Sequence, residues 1–311
     1  MGVATIIWSI VLAICFELAR RERHYEYRSF IHGLLGKAWI SYEVLYLVGL
    51  ILVVSVMGSA SGEIIHEMFG ISNLMGIILM MTLVGLIVFF GTTLIEKVLS
   101  FWSIILYGVF AIMFLVVYSL YGDTIGSSFN QQPADISWTM GGIKYAAYNI
   151  GLVPAILFCV RHIETPKEAG LVAGAIGMIP AVFMFFAMLS QYPNVLNASV
   201  PVNAVLDKIG WDWFKLIFQI VLFGTFIETG VGLIHGFNER IASVYTELSN
   251  QWRSAIGIVL LIVSIFIANA VGLVGLISKG YGGLTWAYWI IFVIPVLTIG
   301  VWKILKPKLT Q

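Results

Sequence analysis

IILMMTLVGLIVFF, from Ile77 to Phe90, is the stretch that decides the fold. It carries one hydroxyl, that of Thr82, and no charge. A strand of a membrane barrel is about 10 residues of alternating polarity, and this run does not alternate. In hydrocarbon every backbone N–H and C=O needs a partner within its own segment, so an unbroken apolar run of this kind is a helix. Followed to its polar limits it reaches from about Ile71 to Ile95. That exceeds the roughly 20 residues that cross a bilayer core about 30 Å thick.

Working outward, the same test finds eight further segments, lettered here in chain order with the first one as C. A runs from about Gly2 to Leu18, B from Ser41 to Gly62, C from Ile71 to Ile95 and D from Ser100 to Tyr121. E runs from Gly142 to Val160, F from Ala169 to Gln191, G from Phe214 to Phe237, H from Ala255 to Ile277 and I from Thr285 to Ile304. The predicted fold class is an all-α polytopic membrane protein with nine transmembrane helices in one domain spanning 1–311.

Composition agrees. Of 311 residues 60% are hydrophobic and 11% charged, against about 25% charged in a soluble domain. The net charge is +1 and no basic region stands apart from the apolar segments, so no nucleic-acid partner is expected. Cys15 and Cys159 both fall inside apolar segments, where packing rather than a disulfide is expected.

Lysine and arginine set the orientation. The A–B, C–D, E–F and G–H connections and the C-terminus hold 13 of the 17, and the other side holds Lys144, Lys208, Lys215 and Lys279. The richer side is cytoplasmic, which predicts a multi-pass protein of a cytoplasmic (inner) membrane with a cytoplasmic C-terminus. An odd number of crossings then puts Met1 outside, although the chain opens directly into segment A. Either the N-terminus inserts outward on its own or a further helix precedes A in the complete protein, and the second is the expectation. Gly122 to Met140 reads as an external polar loop. Tyr192 to Asp212 reads as a second, with Val200, Val202, Val205, Leu206 and Ile209 near helical spacing, as in an amphipathic cap over the outer face.

Two places carry candidate chemistry. Glu228 lies near the middle of segment G, where a charge costs about 2.5 to 3.5 kcal/mol on insertion scales. Thr225, Glu228, Thr229, Gly232, His235 and Glu239 recur at spacings of three and four and form one polar stripe. Hydroxyls beside a carboxylate suit a small cation or a transferable proton; the alternative is a protonated Glu228 in an interhelical hydrogen bond. In segment E, Asn149, Gly151 and Pro154 stand together. Proline removes a donor and blocks the carbonyl four residues earlier, that of Ile150. Glycine lowers the cost of unwinding. Broken helices at the midplane mark transporter sites, because freed backbone groups then face the cavity; the alternative is a simple proline kink. The expectation is loss of regular helical bonding from Asn149 to Val153. Tyr46, deep in segment B, is a further candidate cavity residue.

Other features point elsewhere. Gly58, Ser59, Ala60, Ser61 and Gly62 suit close helix approach. Glu63, His66 and Glu67 do not make the H-E-x-x-H zinc pattern, so no metal site is expected. No G-x-S-x-G, paired His–Asp set or phosphate-cradling loop is present, so the chain is not expected to be an enzyme.

KYAAYNIGLVPAILFCVRHIETPKEA (Lys144 to Ala169) and FQIVLFGTFIETGVGLIHGFNERI (Phe218 to Ile241) resemble the YkvI-like family of bacterial membrane proteins, and VMGSASGEIIHEMFG (Val56 to Gly70) resembles that family's third helix. The family is grouped with the amino acid–polyamine–organocation superfamily and the LeuT-type fold, in which two five-helix units repeat with inverted topology. The resemblance implies that segments A to I are the second to tenth helices of that fold. E is then the broken sixth helix, G is the eighth, and the first helix has no counterpart in this chain. In that fold the first and sixth helices hold substrate, and the first and eighth hold the coupling ion. The implied function is a secondary transporter of a small solute, such as an amino acid or amine, working by alternating access. Tyr46, Tyr148, Asn149 and Gly151 would contact substrate, and Thr225, Glu228 and Thr229 would serve the coupling ion. No cofactor is implied beyond Na+ or H+ as that ion. The partners are the solute and the lipid bilayer, with no oligomeric state assigned. The rival readings are a non-transporting sensor or accessory subunit, a truncated inactive relative and, more distantly, a membrane-embedded enzyme.

Overall fold

Ser55, Ser61 and Ser264 have no exposed surface, whereas Ile104, Phe266 and Phe89 are exposed by 73%, 71% and 67%. Hydroxyls among the buried residues, with large apolar groups outside, suit a chain solvated by lipid. The structure, a computed structural model, describes the backbone of all residues except 91, 132–135, 137, 199, 243–248 and 307–311. It also leaves undescribed the side chains of 90, 92–100, 103, 155, 156, 158, 159, 197, 239, 242 and 250.

The described residues are helical with no strand. The helices are α1 (Gly2–Glu22), α2 (Tyr27–Leu35), α3 (Trp39–Phe69), α4 (Asn73–Phe90), α5 (Thr92–Asn130), α6 (Trp138–Ile150), α7 (Pro166–Gly177), α8 (Ile179–Leu189), α9 (Pro201–Ile209), α10 (Asp212–Ala242), α11 (Asn250–Gly275), α12 (Gly282–Tyr288) and α13 (Val301–Leu305). Six described runs are long and apolar enough to cross a membrane: Gly2–Glu22, Tyr27–Phe69, Ile104–Asn130, Pro166–Leu189, Asp212–Asn238 and Gln251–Leu305. Segments A, B and G each fall in one of them, and D and F each overlap one, from Ile104 on and up to Leu189. Segment C is carried by the shorter apolar helix Asn73–Phe89. Segment E is divided, and H and I share the last run. That run contains one residue with non-helical backbone angles, Gly272, at φ 71° and ψ 165°. Glycine reaches that region at no steric cost.

One local expectation meets a different outcome. Gly122 to Met140 is not all loop: α5 leaves helical angles at Tyr121 (φ −132°, ψ 19°), where the apolar run ends, and then continues to Asn130. Ile125 and Ser128, three residues apart, are both buried, so this polar-looking stretch has an inner face. The A–B connection contains α2, which buries Phe30, Ile31 and Leu34. The expected amphipathic helix between F and G is α9. It buries Val202, Val205, Leu206 and Ile209, begins with Pro201 and stops at Gly210 in the left-handed region.

The chain divides into two compact units. One comprises Met1–Gly49, Ala134–Val182 and Gly280–Gln311; the other comprises Leu50–Pro133 and Phe183–Lys279. In the first, α1 packs on α7 through glycines. A Cβ on Gly170 would lie 2.6 Å from the Ala13 backbone, and one on Gly174 would lie 2.5 Å from that of Ser9. Small residues four apart allow such backbone approach. In the second, α3 meets α4 at Gly62 and Gly76, where a Cβ on Gly76 would be 2.9 Å from the Gly62 Cα. Trp102 of α5 lies over Gly224 of α10 and donates its indole N–H to the Val221 carbonyl at 3.1 Å. Asn203 of α9 donates to the Glu67 carboxylate, and the Tyr121 hydroxyl donates to the Lys208 carbonyl at 2.7 Å.

Candidate functional site

Segment E loses α-helical bonding near Gly151 and Pro154, but only from Leu152 on and not from Asn149 as expected. α6 ends at Ile150, and the chain resumes as a 3-10 helix from Val153 to His162. The Gly151 N–H still reaches the Ala147 carbonyl, four residues back, at 3.2 Å. The Leu152 N–H reaches only three back, to Asn149, at 3.4 Å. Runs of 3-10 helix rarely exceed three or four residues, so ten residues of it mark an unusual backbone inside an apolar segment.

The end of α6 is held by side chains of the same unit. The indole N–H groups of Trp8 and Trp289 donate to the carbonyls of Ala146 and Ile143 at 3.2 and 3.1 Å. The Thr285 hydroxyl donates to the Lys144 carbonyl at 3.3 Å, and the Tyr42 hydroxyl to that of Gly151. Around Gly151 lies an aromatic cluster. Tyr42 packs on Tyr27, Tyr46 and Phe292 with ring centroids 5.6, 6.5 and 5.4 Å apart. The Tyr288 ring fills the space beside two glycines. A Cβ on Gly151 would lie 2.3 Å from its Cε1, and one on Gly49 would lie 2.5 Å from its hydroxyl oxygen.

The four substrate candidates all belong to the first unit. Gly151 and Tyr46 share the aromatic cluster through Tyr42. Tyr148 belongs to another stack, parallel to Tyr281 at 4.5 Å and edge-on to Tyr145 at 5.7 Å. The Asn149 amide donates back along its own helix to the Tyr145 carbonyl at 3.1 Å. The coupling candidates Thr225, Glu228 and Thr229 belong to the second unit. The Thr225 and Thr229 hydroxyls donate to the carbonyls of Val221 and Thr225, each at 2.9 Å, which leaves their oxygen lone pairs as acceptors. Glu228 is half-buried, one turn beyond the Gly224 that lies under Trp102. The Glu239 side chain lies outside the described residues.

Sequence reasoning missed Tyr42 and Tyr288. A signal existed for the first: Tyr42, Tyr46 and Gly49 follow at spacings of four and three and so share one face of α3. Near the α3 end, Glu63 accepts from the Asn73 amide at 2.9 Å, and His66 Nδ1 lies 2.8 Å from the Ile71 carbonyl. Among the described residues, no three His, Cys, Asp or Glu side chains gather as metal ligands would.

No family model matches the chain. It is similar to a membrane protein of Bacillus subtilis (strain 168), the uncharacterized YkvI. The two are 21% identical over 291 residues, covering 90% of this chain and 79% of YkvI. The apolar helices and this likeness together identify a multi-pass membrane protein similar to YkvI.

Proposed function

We propose that the chain is a secondary transporter of a small solute, of the amino acid or amine class, working by alternating access and coupled to Na+ or H+. The observation that carries this reading is the end of the α6 helix at Ile150, within an apolar segment. Non-helical backbone at membrane depth is tolerated only inside protein or along a cavity, and such breaks are where secondary transporters hold solute. On this reading Tyr46, Tyr148, Asn149 and Gly151 face the solute, while Thr225, Glu228 and Thr229 take the ion. The chain acts as a carrier and not as an enzyme.

The packing supports a LeuT-like inverted repeat. If A to I are helices two to ten, the repeat equates A with F, and C with H. In the first unit α1 packs on α7, which pairs A with F; in the second α4 packs on α11, which pairs C with H. Nine crossings follow if α4 spans, if α6 and its 3-10 continuation span together, and if the last run crosses twice. That last run has 55 residues, or about 80 Å of helix, which is more than two bilayer cores. The basic connections then face the cytoplasm of a bacterial cell.

The test is uptake by proteoliposomes containing the protein, with a panel of labelled amino acids and amines under imposed sodium or proton gradients. Gradient-driven accumulation of at least one solute, above empty vesicles, is expected. Folded protein that moves none of them under either gradient would overturn the reading in favour of a non-transporting membrane protein.

A further inference from the structure

In an α-helix the carbonyl of residue i accepts from the N–H of residue i+4; in a 3-10 helix it accepts from i+3. The chain passes from the first pattern to the second at Gly151 and Leu152. In the second pattern the donor due to the Gly151 carbonyl belongs to residue 154. That residue is proline and has no N–H. Gly151 and Pro154 are both buried, so bulk water does not supply the missing donor. A buried carbonyl without a partner is costly.

Tyr42 supplies the donor. Its hydroxyl bonds to the Gly151 carbonyl, and its side chain has no exposed surface. Tyr27, Tyr46 and Phe292 hold the ring on several sides, so the hydroxyl is fixed in direction. We propose that Tyr42 is a positioning residue whose hydroxyl replaces the N–H that Pro154 lacks, and so sets the point at which α6 gives way to 3-10 helix. This concerns the helix break itself, and its test does not depend on transport.

The test is a cycle of Tyr42→Phe, Pro154→Ala and the double variant, with amide hydrogen exchange measured over 150–157 in nanodiscs. Phenylalanine keeps the ring and removes only the donor; alanine at 154 restores a backbone donor. Tyr42→Phe alone should speed exchange there about fivefold, the size expected for one lost hydrogen bond. In the Pro154→Ala background the same change should have less than about a twofold effect. The midpoint of thermal unfolding, followed by tryptophan fluorescence, should fall by only a few degrees in Tyr42→Phe, the shift expected for one lost buried hydrogen bond in a chain of this size. Unchanged exchange in Tyr42→Phe overturns the proposal. So does equal acceleration in both backgrounds, or acceleration spread over the whole chain, since either would make Tyr42 a packing residue only.

Discussion

Gly151 has room for a hydrogen and little else on the side that faces Tyr288. A methyl there would sit 2.3 Å from a ring carbon whose side chain is only 2% exposed, and the ring is also backed by Gly49. Gly151→Ala should therefore cost about 1 to 3 kcal/mol by overpacking. Gly141→Ala, at an exposed position of α6 where a Cβ would meet nothing within 4 Å, should be neutral or slightly stabilising. Thermal melts of the two variants in one detergent check this, and equal melting would refute the assigned fit of Tyr288. Glu228 yields a functional prediction. Glu228→Gln keeps the shape and hydrogen-bonding reach of the side chain and removes its titration. If Glu228 couples the ion, gradient-driven uptake should disappear while the protein stays folded. Equal uptake by wild type and variant would leave Glu228 a structural hydrogen-bonding group. At this scale the helix break beside Gly151 and Pro154 was legible because proline and glycine act through the local backbone. Tyr288 was not, and for Tyr42 the spacing with Tyr46 and Gly49 marked only its helix face; the contacts of both with Gly151 bridge more than a hundred residues of chain, and no local pattern encodes those.

At the scale of elements, legibility followed periodicity. α9 was readable from its four buried aliphatic residues at helical spacing. The end of α5 was not, because Gly122, Asp123, Gly126, Ser127 and Ser128 carry the composition of a loop, while the helix there is kept by a narrow face at Ile125 and Ser128. The α1–α7 contact had a sequence signal that was overlooked, the G-x-x-x-G of Gly170 and Gly174. Its consequence is testable. At Gly174 a Cβ would press on the Ser9 backbone at 2.5 Å, and a backbone cannot rotate aside as a side chain can. Gly174→Leu should force α1 and α7 apart and cost about 3 kcal/mol or more. Gly232→Leu on α10, where a Cβ would meet nothing within 4 Å, should cost far less. Melting temperatures, together with recovery of monodisperse protein from the membrane, compare the two. Similar losses would mean that the close approach of α1 and α7 contributes little to the fold.

At the scale of the whole molecule the open quantity is the number of crossings, and it turns on one short helix. α4 has 18 residues, about 27 Å at 1.5 Å per residue, slightly less than a bilayer core about 30 Å thick. Its sequence is the apolar run around Ile77 to Phe90, and Met75, Ile78, Leu79, Leu86 and Phe89 are exposed along it, as on a helix that faces lipid. Two surface positions decide whether it spans. Glu26 precedes α2, and Ser127 lies exposed near the end of α5. If α4 crosses, three crossings separate these positions and they lie on opposite sides of the membrane; if it does not, two crossings separate them and they lie on the same side. In the proposed orientation the five basic residues between segments A and B put Glu26 on the cytoplasmic side. With Cys15 and Cys159 replaced, a cysteine at 127 should react with an impermeant thiol reagent in intact cells, and a cysteine at 26 only after the membrane is opened. Reaction at 26 but not at 127 would keep the odd number of crossings and invert the orientation. The same behaviour at both positions would remove α4 from the spanning set, and with it the pairing of segments C and H on which the proposed inverted repeat partly rests.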